Sequence, residues 1–221
     1  MKALSTLLLL ALASPLLAVT IDTGGASSVN RGLFTLLPQT ITIDFDSGSY
    51  PSSGPAIYTG QTTNVVTGNI SGVTATPPAD TSAYFTVGPT RGASVSIGFA
   101  ATMDYFGFYV GSLDAYNFID LYQDNTLLVA LTGTQIATIG GFPANGDQGR
   151  GIYVNIYSAN SSEYFNRIVL RSTSNAFESD NHAFRAVQRG ITTVASPVPE
   201  PATALLFASA LLLFIYKRAA S

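Results

Sequence analysis

The sequence predicts an all-β domain, a jelly-roll-like β-sandwich, flanked by an N-terminal signal peptide and a short C-terminal transmembrane helix. Three observations carry that prediction. Apolar and polar residues alternate with period two in several stretches of the 221-residue chain. No apolar stripe at helical spacing runs for three turns between the two ends. Turn-forming clusters such as Asp46-Ser47-Gly48, Thr76-Pro77-Pro78, Gln123-Asp124-Asn125 and Asn145-Gly146-Asp147 separate the alternating stretches.

The order of features at the amino end is that of a signal peptide over residues 1–18. Lys2 supplies the positive start, Leu4 to Leu12 the apolar centre, Ser14-Pro15 a break and Leu16-Leu17-Ala18 a cleavage point. The apolar part is too short to span a bilayer, so cleavage after Ala18 is expected rather than an uncleaved anchor. Signal peptidase and the general secretion machinery are the implied partners. Residues 19–39, with "DTGGASSVNRG" at their heart, read as an irregular arm.

The domain proper is expected over residues 40–190. "TITIDFD" sets Ile41, Ile43 and Phe45 against Thr42, Asp44 and Asp46. "ASVSIGF" sets Val95, Ile97 and Phe99 against Ser94, Ser96 and Gly98, and "GIYVNIYS" sets Ile152, Val154 and Ile156 against Tyr153, Asn155 and Tyr157. Further strands are expected at Tyr84–Val87, Met103–Val110, Tyr116–Tyr122, Thr126–Thr132, Tyr164–Arg171 and His182–Arg189. About nine to eleven short strands point to two packed sheets. Ser47–Pro55 and Ile139–Gly151 are the longest glycine- and proline-bearing loops, and loops at sandwich ends are where ligands bind.

A linker, residues 191–198, leads to a tail in three parts over residues 199–221. Pro199-Glu200-Pro201 holds the backbone extended. Ala202 to Tyr216 follows as an uncharged run, about 22 Å long as a helix against a hydrocarbon core of about 30 Å. Lys217 and Arg218 extend its reach by snorkelling and hold the carboxyl end on the cytoplasmic side.

Between the two ends, seven arginines face twelve acidic residues, a net charge of −5. An acidic, lysine-free surface repels phosphate backbones, which argues against nucleic acid as a partner. The chain has no cysteine, so neither a disulfide framework nor a thiol-linked lipid anchor is available. Stability must come from a packed core or a bound ion.

The tripartite tail resembles the PEP-CTERM sorting signal: Pro-Glu-Pro, a short membrane helix, a basic end. That resemblance implies recognition by an exosortase, a membrane-embedded cysteine protease-transpeptidase, in a Gram-negative bacterium that makes extracellular polysaccharide. The basic end, Lys217-Arg218, is shorter than relatives often show. Inside the domain, "FDSGSYPSSG", "DYFGFYVGSLDAYNFIDLY", "LTGTQI", "YVNIYS" and "AFESDNHAF" resemble, in order, a family of PEP-CTERM surface proteins with FGFYxGSLDxYN and AFExDNxA motifs. Val110 departs where an aromatic is common, and Ser179 where a second Phe stands. The resemblance implies route and fold; it implies no ligand and no activity.

Three chemistries remain to be weighed. Catalysis lacks its usual parts: one histidine, no cysteine and no Gly-x-Ser-x-Gly elbow, so no enzyme is expected. His182, with Asp180 two residues before it, reads as a strand histidine rather than a base. A pair of carboxylates for glycoside hydrolysis is not marked by any pattern. For metal, Asp44 and Asp46 share one face of a strand, and Asp180-Asn181 open another that a jelly roll can place beside it. These four form a possible calcium set, against the plainer reading of a polar face and a turn. For glycan, Tyr109, Asp114, Tyr116 and Asn117 combine rings for stacking with groups for hydroxyls, although tyrosine is also an ordinary strand residue. The expectation is an exported, exosortase-processed surface or matrix protein with a structural or adhesive role in an exopolysaccharide matrix. A carbohydrate-binding module for the producer's polysaccharide is the alternative, and a glycan-active hydrolase a more distant one.

Overall fold

The computed structural model of the chain describes residues 19–51, 53–60 and 62–187. The signal peptide, the linker, Pro199-Glu200-Pro201, the apolar run and Lys217-Arg218 lie outside the described residues. Seven short strands come first: β1 (Thr20–Thr23), β2 (Ala26–Ser27), β3 (Leu33–Phe34), β4 (Ile41–Ile43), β5 (Ala56–Thr59), β6 (Val65–Val66) and β7 (Tyr84–Val87). The long β8 (Ser94–Ser112) follows, then β9 (Asn117–Gln123), β10 (Thr126–Thr132) and one helix, α1 (Gly133–Gly140). β11 (Ile152–Tyr157), β12 (Phe165–Ser172) and β13 (Phe177–Ala186) complete the order.

All pairings are antiparallel, and eleven of these strands form one curled sheet. β8 organises it. Its first half pairs with β5 and β12, and β12 continues to β9 and β10. Its second half pairs with β11 on one side and β13 on the other; β11 carries β1, and β13 carries β4 and β7. The alternation along β8 sends Val95 and Ile97, then Phe106, Phe108 and Val110, into one core. Ile119, Leu121, Ile168 and Leu170 meet them from one half of the sheet, and Val154, Ile156, Phe177 and Phe184 from the other. The sheet curls because both halves have an apolar face to bury and only each other to bury it against.

Burial along β8 also separates its halves. Ser94 to Gly98 alternates buried and open, as one covered face requires, whereas every residue from Tyr105 to Ser112 is buried. The second half is covered on both faces, by the core inside and by the arm outside. The arm expected to be irregular contributes three short strands: β1 adds to the edge of β11, and β2 pairs with β3.

Several expectations are corrected. "ASVSIGF" and Met103–Val110 are one strand, which runs through Ala100 and Ala101 without a turn. "TITIDFD" is a strand only over Ile41–Ile43; Phe45, at φ 55°, leaves the extended region and turns its ring into the core. β13 starts at Phe177, five residues ahead of the expected His182. Helix α1 is too short to register as a three-turn stripe. It is fixed by a capping box in which the Thr132 side chain accepts from Gln135 N while Gln135 Oε1 accepts from Thr132 N at 2.8 Å. Gly141, left-handed at φ 71°, ends it.

Candidate functional site

On the outer face of β8, β11 and β13, Tyr105, Tyr109, Tyr153 and Ala183 form a second buried cluster, with Leu33 and Leu37 of the arm against it. Every phenol there is engaged. Tyr105 Oη donates to Asn155 Oδ1 at 2.7 Å and lies 2.7 Å from Thr35 Oγ1. Tyr153 Oη donates to the Asn181 carbonyl at 2.9 Å, and Tyr109 Oη to the Pro78 carbonyl. Burial pushes both Tyr105 and Tyr109 up to about 12. Gly32, at φ +67°, lies where a Cβ would run into the Tyr109 ring, so only glycine lets the arm approach this closely.

β13 is bulged here. Asp180 stands opposite Tyr109 and Ala183 opposite Gly107, which leaves one extra residue on β13, and Asn181 takes a left-handed φ of 50°. Asn181 Nδ2 donates to the carbonyls of Arg31, at 2.7 Å, and Leu33, at 3.0 Å, which ties the arm to the sheet. Asp180 is fully buried and within hydrogen-bonding range of Asp80. Burial first, and then the neighbouring Asp80 carboxyl, push Asp180 up to about 10.

His182 lies across the same strand, facing the core. Its Nδ1 is 2.8 Å from Tyr58 Oη and its Nε2 is 2.9 Å from Ser179 Oγ. Phe45, Phe85 and Phe106 press edge-on against the ring with centroids 4.9, 5.3 and 5.7 Å away. Burial lowers its pKa to about 3. A serine, a histidine and a tyrosine are thus joined, but all three are buried and serve packing.

An open cleft of about 450 Å³ lies at the far end of β8. Tyr116 and Asp114 line it together with Asn69, Asn145, Gln148 and Glu178. Glu178 is its floor: Oε1 accepts from Ala75 N at 2.9 Å and Oε2 from Ser112 Oγ at 2.8 Å. Burial raises Glu178 above the usual carboxylate range. Both oxygens of Glu178 thus hold groups of its own fold. Tyr116 Oη donates to the Asn175 carbonyl at 3.1 Å, and burial raises its pKa. Carboxamides, hydroxyls and one aromatic ring around an open trough suit a polyhydroxylated chain.

Of the glycan set, the structure brings Asp114 and Tyr116 to that cleft. Tyr109 is 2% exposed beneath the arm and leaves the set. Asn117 leaves it too: 1% exposed, its Oδ1 accepts from Asp114 N at 2.7 Å and its Nδ2 donates to Ser172 Oγ at 3.0 Å. Of the calcium set, β4 does pair with β13, His182 standing opposite Ile43. Arg31 from the arm occupies Asp44, at 2.6 Å, and Asp46, while Asp180 and Asn181 lie buried. Among the described residues no three Asp, Glu or His side chains gather as a metal cage. Sequence reasoning missed Asp80, which sits in a proline-rich turn like any other acidic turn residue, and Glu178, whose strand was placed too late. Among the described residues no helix is long and apolar enough to cross a membrane.

The chain matches no family model, no curated protein and no solved structure.

Proposed function

We propose that this chain is an exported surface or extracellular-matrix protein with a structural or adhesive role in an exopolysaccharide matrix. Its tail is processed by an exosortase-type membrane protease-transpeptidase near Pro199-Glu200-Pro201, with the protein held meanwhile in the inner membrane by its apolar run and Lys217-Arg218. The observation that carries the reading is the order of these three tail elements behind a β domain whose last strand among the described residues ends at Ala186. The domain itself we read as a jelly-roll-like sandwich; the support is the single core shared by residues from both halves of β8. A cysteine-free, acidic domain with most buried polar groups internally bonded fits a passive extracellular role.

Mass spectrometry of the protein from its producing cell tests the route. A carboxyl terminus near Pro199-Glu200-Pro201 is expected, and an intact tail still in the membrane fraction refutes the processing. A second reading, a carbohydrate-binding module, is favoured by the Tyr116 cleft. Retention on the producer's own polysaccharide, measured by pull-down, supports it; passage without delay removes it and leaves the structural role.

A further inference from the structure

Asp80 and Asp180 are buried carboxyls, and their four oxygens are not equally provided for. Asp80 Oδ1 accepts from Ser82 N at 2.8 Å, and Asp180 Oδ1 accepts from Asn181 N at 2.7 Å. Asp80 Oδ2, Asp180 Oδ2 and Asn181 Oδ1 are buried and have no donor among the described residues. Buried acceptors without donors are costly, and three in one neighbourhood call for a ligand that is itself a donor of positive charge.

The three belong to one place. Asp80 and Asp180 are within hydrogen-bonding range of each other. Arg31 pairs with Asp80 in an isolated β-bridge, and the Arg31 carbonyl receives Asn181 Nδ2. That amide spends its nitrogen on the arm, so its acceptor end is what remains. Asn181 follows Asp180 directly in the chain, at the bulge where the backbone turns left-handed.

We propose that Asp80, Asp180 and Asn181 form a divalent-cation site of the oxygen-only kind that suits calcium, closed over by the N-terminal arm. A shared proton would satisfy the two carboxyl oxygens, but it leaves the amide oxygen unmet and a negative charge buried. A divalent cation meets all three oxygens and cancels both charges. Backbone carbonyls and water complete the six to eight ligands that calcium takes. Asp44 and Asp46, which Arg31 neutralises, are not part of the site. The site pins the arm to β13, a task that disulfides perform in other exported domains.

The full-length protein, freed of metal with a chelator, is titrated with Ca²⁺ while thermal unfolding is followed. Terbium emission excited through tyrosine provides a second readout, because the Tyr109 phenol lies close enough to feel both carboxyls. Expected is a saturable rise in unfolding temperature with Kd of about 0.1–1 mM, as extracellular calcium modules show. Terbium emission should rise at least about tenfold and be displaced by Ca²⁺. Asp180→Asn and Asp80→Asn should abolish both signals and Asp44→Asn should keep them. Wild-type protein unmoved up to about 10 mM Ca²⁺ overturns the site without recourse to any variant. So does a response that survives in both folded Asp80 and Asp180 variants.

Discussion

Tyr58 holds His182 by its Nδ1 at 2.8 Å, across 124 residues of sequence, inside a cage of aromatic rings. Burial lowers the imidazole to about 3. In the fold it is neutral; in the unfolded chain it takes a proton near 6.5. Its contribution is therefore complete above about pH 6.5 and is lost as pH falls from there toward 3. Urea unfolding of the wild type and of His182→Gln, compared at each pH, isolates it from Asp180 and the other carboxyls. The wild type should lose its advantage by about 1.4 kcal/mol per pH unit below 6. A difference that stays constant from neutral to pH 4 shows that the ring titrates normally.

Gly32 and Gly48 separate backbone strain from steric fit. Both have positive φ, +67° and +74°, but a Cβ at Gly32 meets the Tyr109 ring whereas one at Gly48 meets open space. Gly48→Ala should cost about 1 kcal/mol, the strain of a left-handed alanine. Gly32→Ala should cost about 1–3 kcal/mol more, since the arm must lift or the ring must leave its rotamer. Lifting should also expose tyrosine, visible as a blue shift in ultraviolet difference absorption. Equal costs at the two positions would mean that the arm does not press on Tyr109.

How much of this was legible in the sequence depends on which partner a residue faces. β7 and β10 were read to the residue because each carries its own strand propensity, and the Gln123-Asp124-Asn125 turn marks where β10 begins. The alternation of β11 was correct, but Tyr153 and Asn155, its polar-looking face, are buried beneath the arm. Period two tells which residues share a face; it cannot tell that a remote segment covers the second one. The same blindness put Tyr109 among surface rings. Asp80 was invisible because its partner, Asp180, lies 100 residues away and is brought near only by the path of the arm. Asp114 and Tyr116, chosen for their chemistry, reach the cleft because they fall between β8 and β9, outside the covered strands.

Arg171 and Arg31 show why ion pairs here should differ in worth. Arg171 grips Asp120 with Nε at 2.7 Å and Nη2 at 3.3 Å and lies over the Phe118 ring at 4.0 Å. Only 8% of the Asp120 side chain is exposed, so removing its partner strands a carboxylate. Arg171→Met should cost about 1–3 kcal/mol, discounted for the solvent that reaches the guanidinium. Arg31 pairs with Asp44 and Asp46 where all three side chains are open, and Arg31→Met should cost under about 1 kcal/mol and vanish in high salt. Chemical denaturation at low and high ionic strength distinguishes them. Two equal, salt-sensitive losses would show that Asp120 is better hydrated than its burial implies.

The neighbours Tyr116 and Asn117 give the cleft its decisive comparison. Tyr116 borders the trough and bonds outward to the Asn175 carbonyl, whereas Asn117 points inward and holds Asp114 N and Ser172 Oγ. If the trough grips polysaccharide, Tyr116→Ala should cut retention of folded protein on the matrix about tenfold, the loss of one stacking ring, beyond the cost of about 1 kcal/mol in stability from its lost bond to the Asn175 carbonyl. Asn117→Ala should do the reverse. It leaves a buried N–H without its acceptor and should cost about 1–3 kcal/mol, with polysaccharide retention retained wherever the protein stays folded. Retention measured on folded protein below its midpoint, beside the denaturation curves, separates the two effects. Binding that falls only in step with stability would place the polysaccharide contact elsewhere on the molecule.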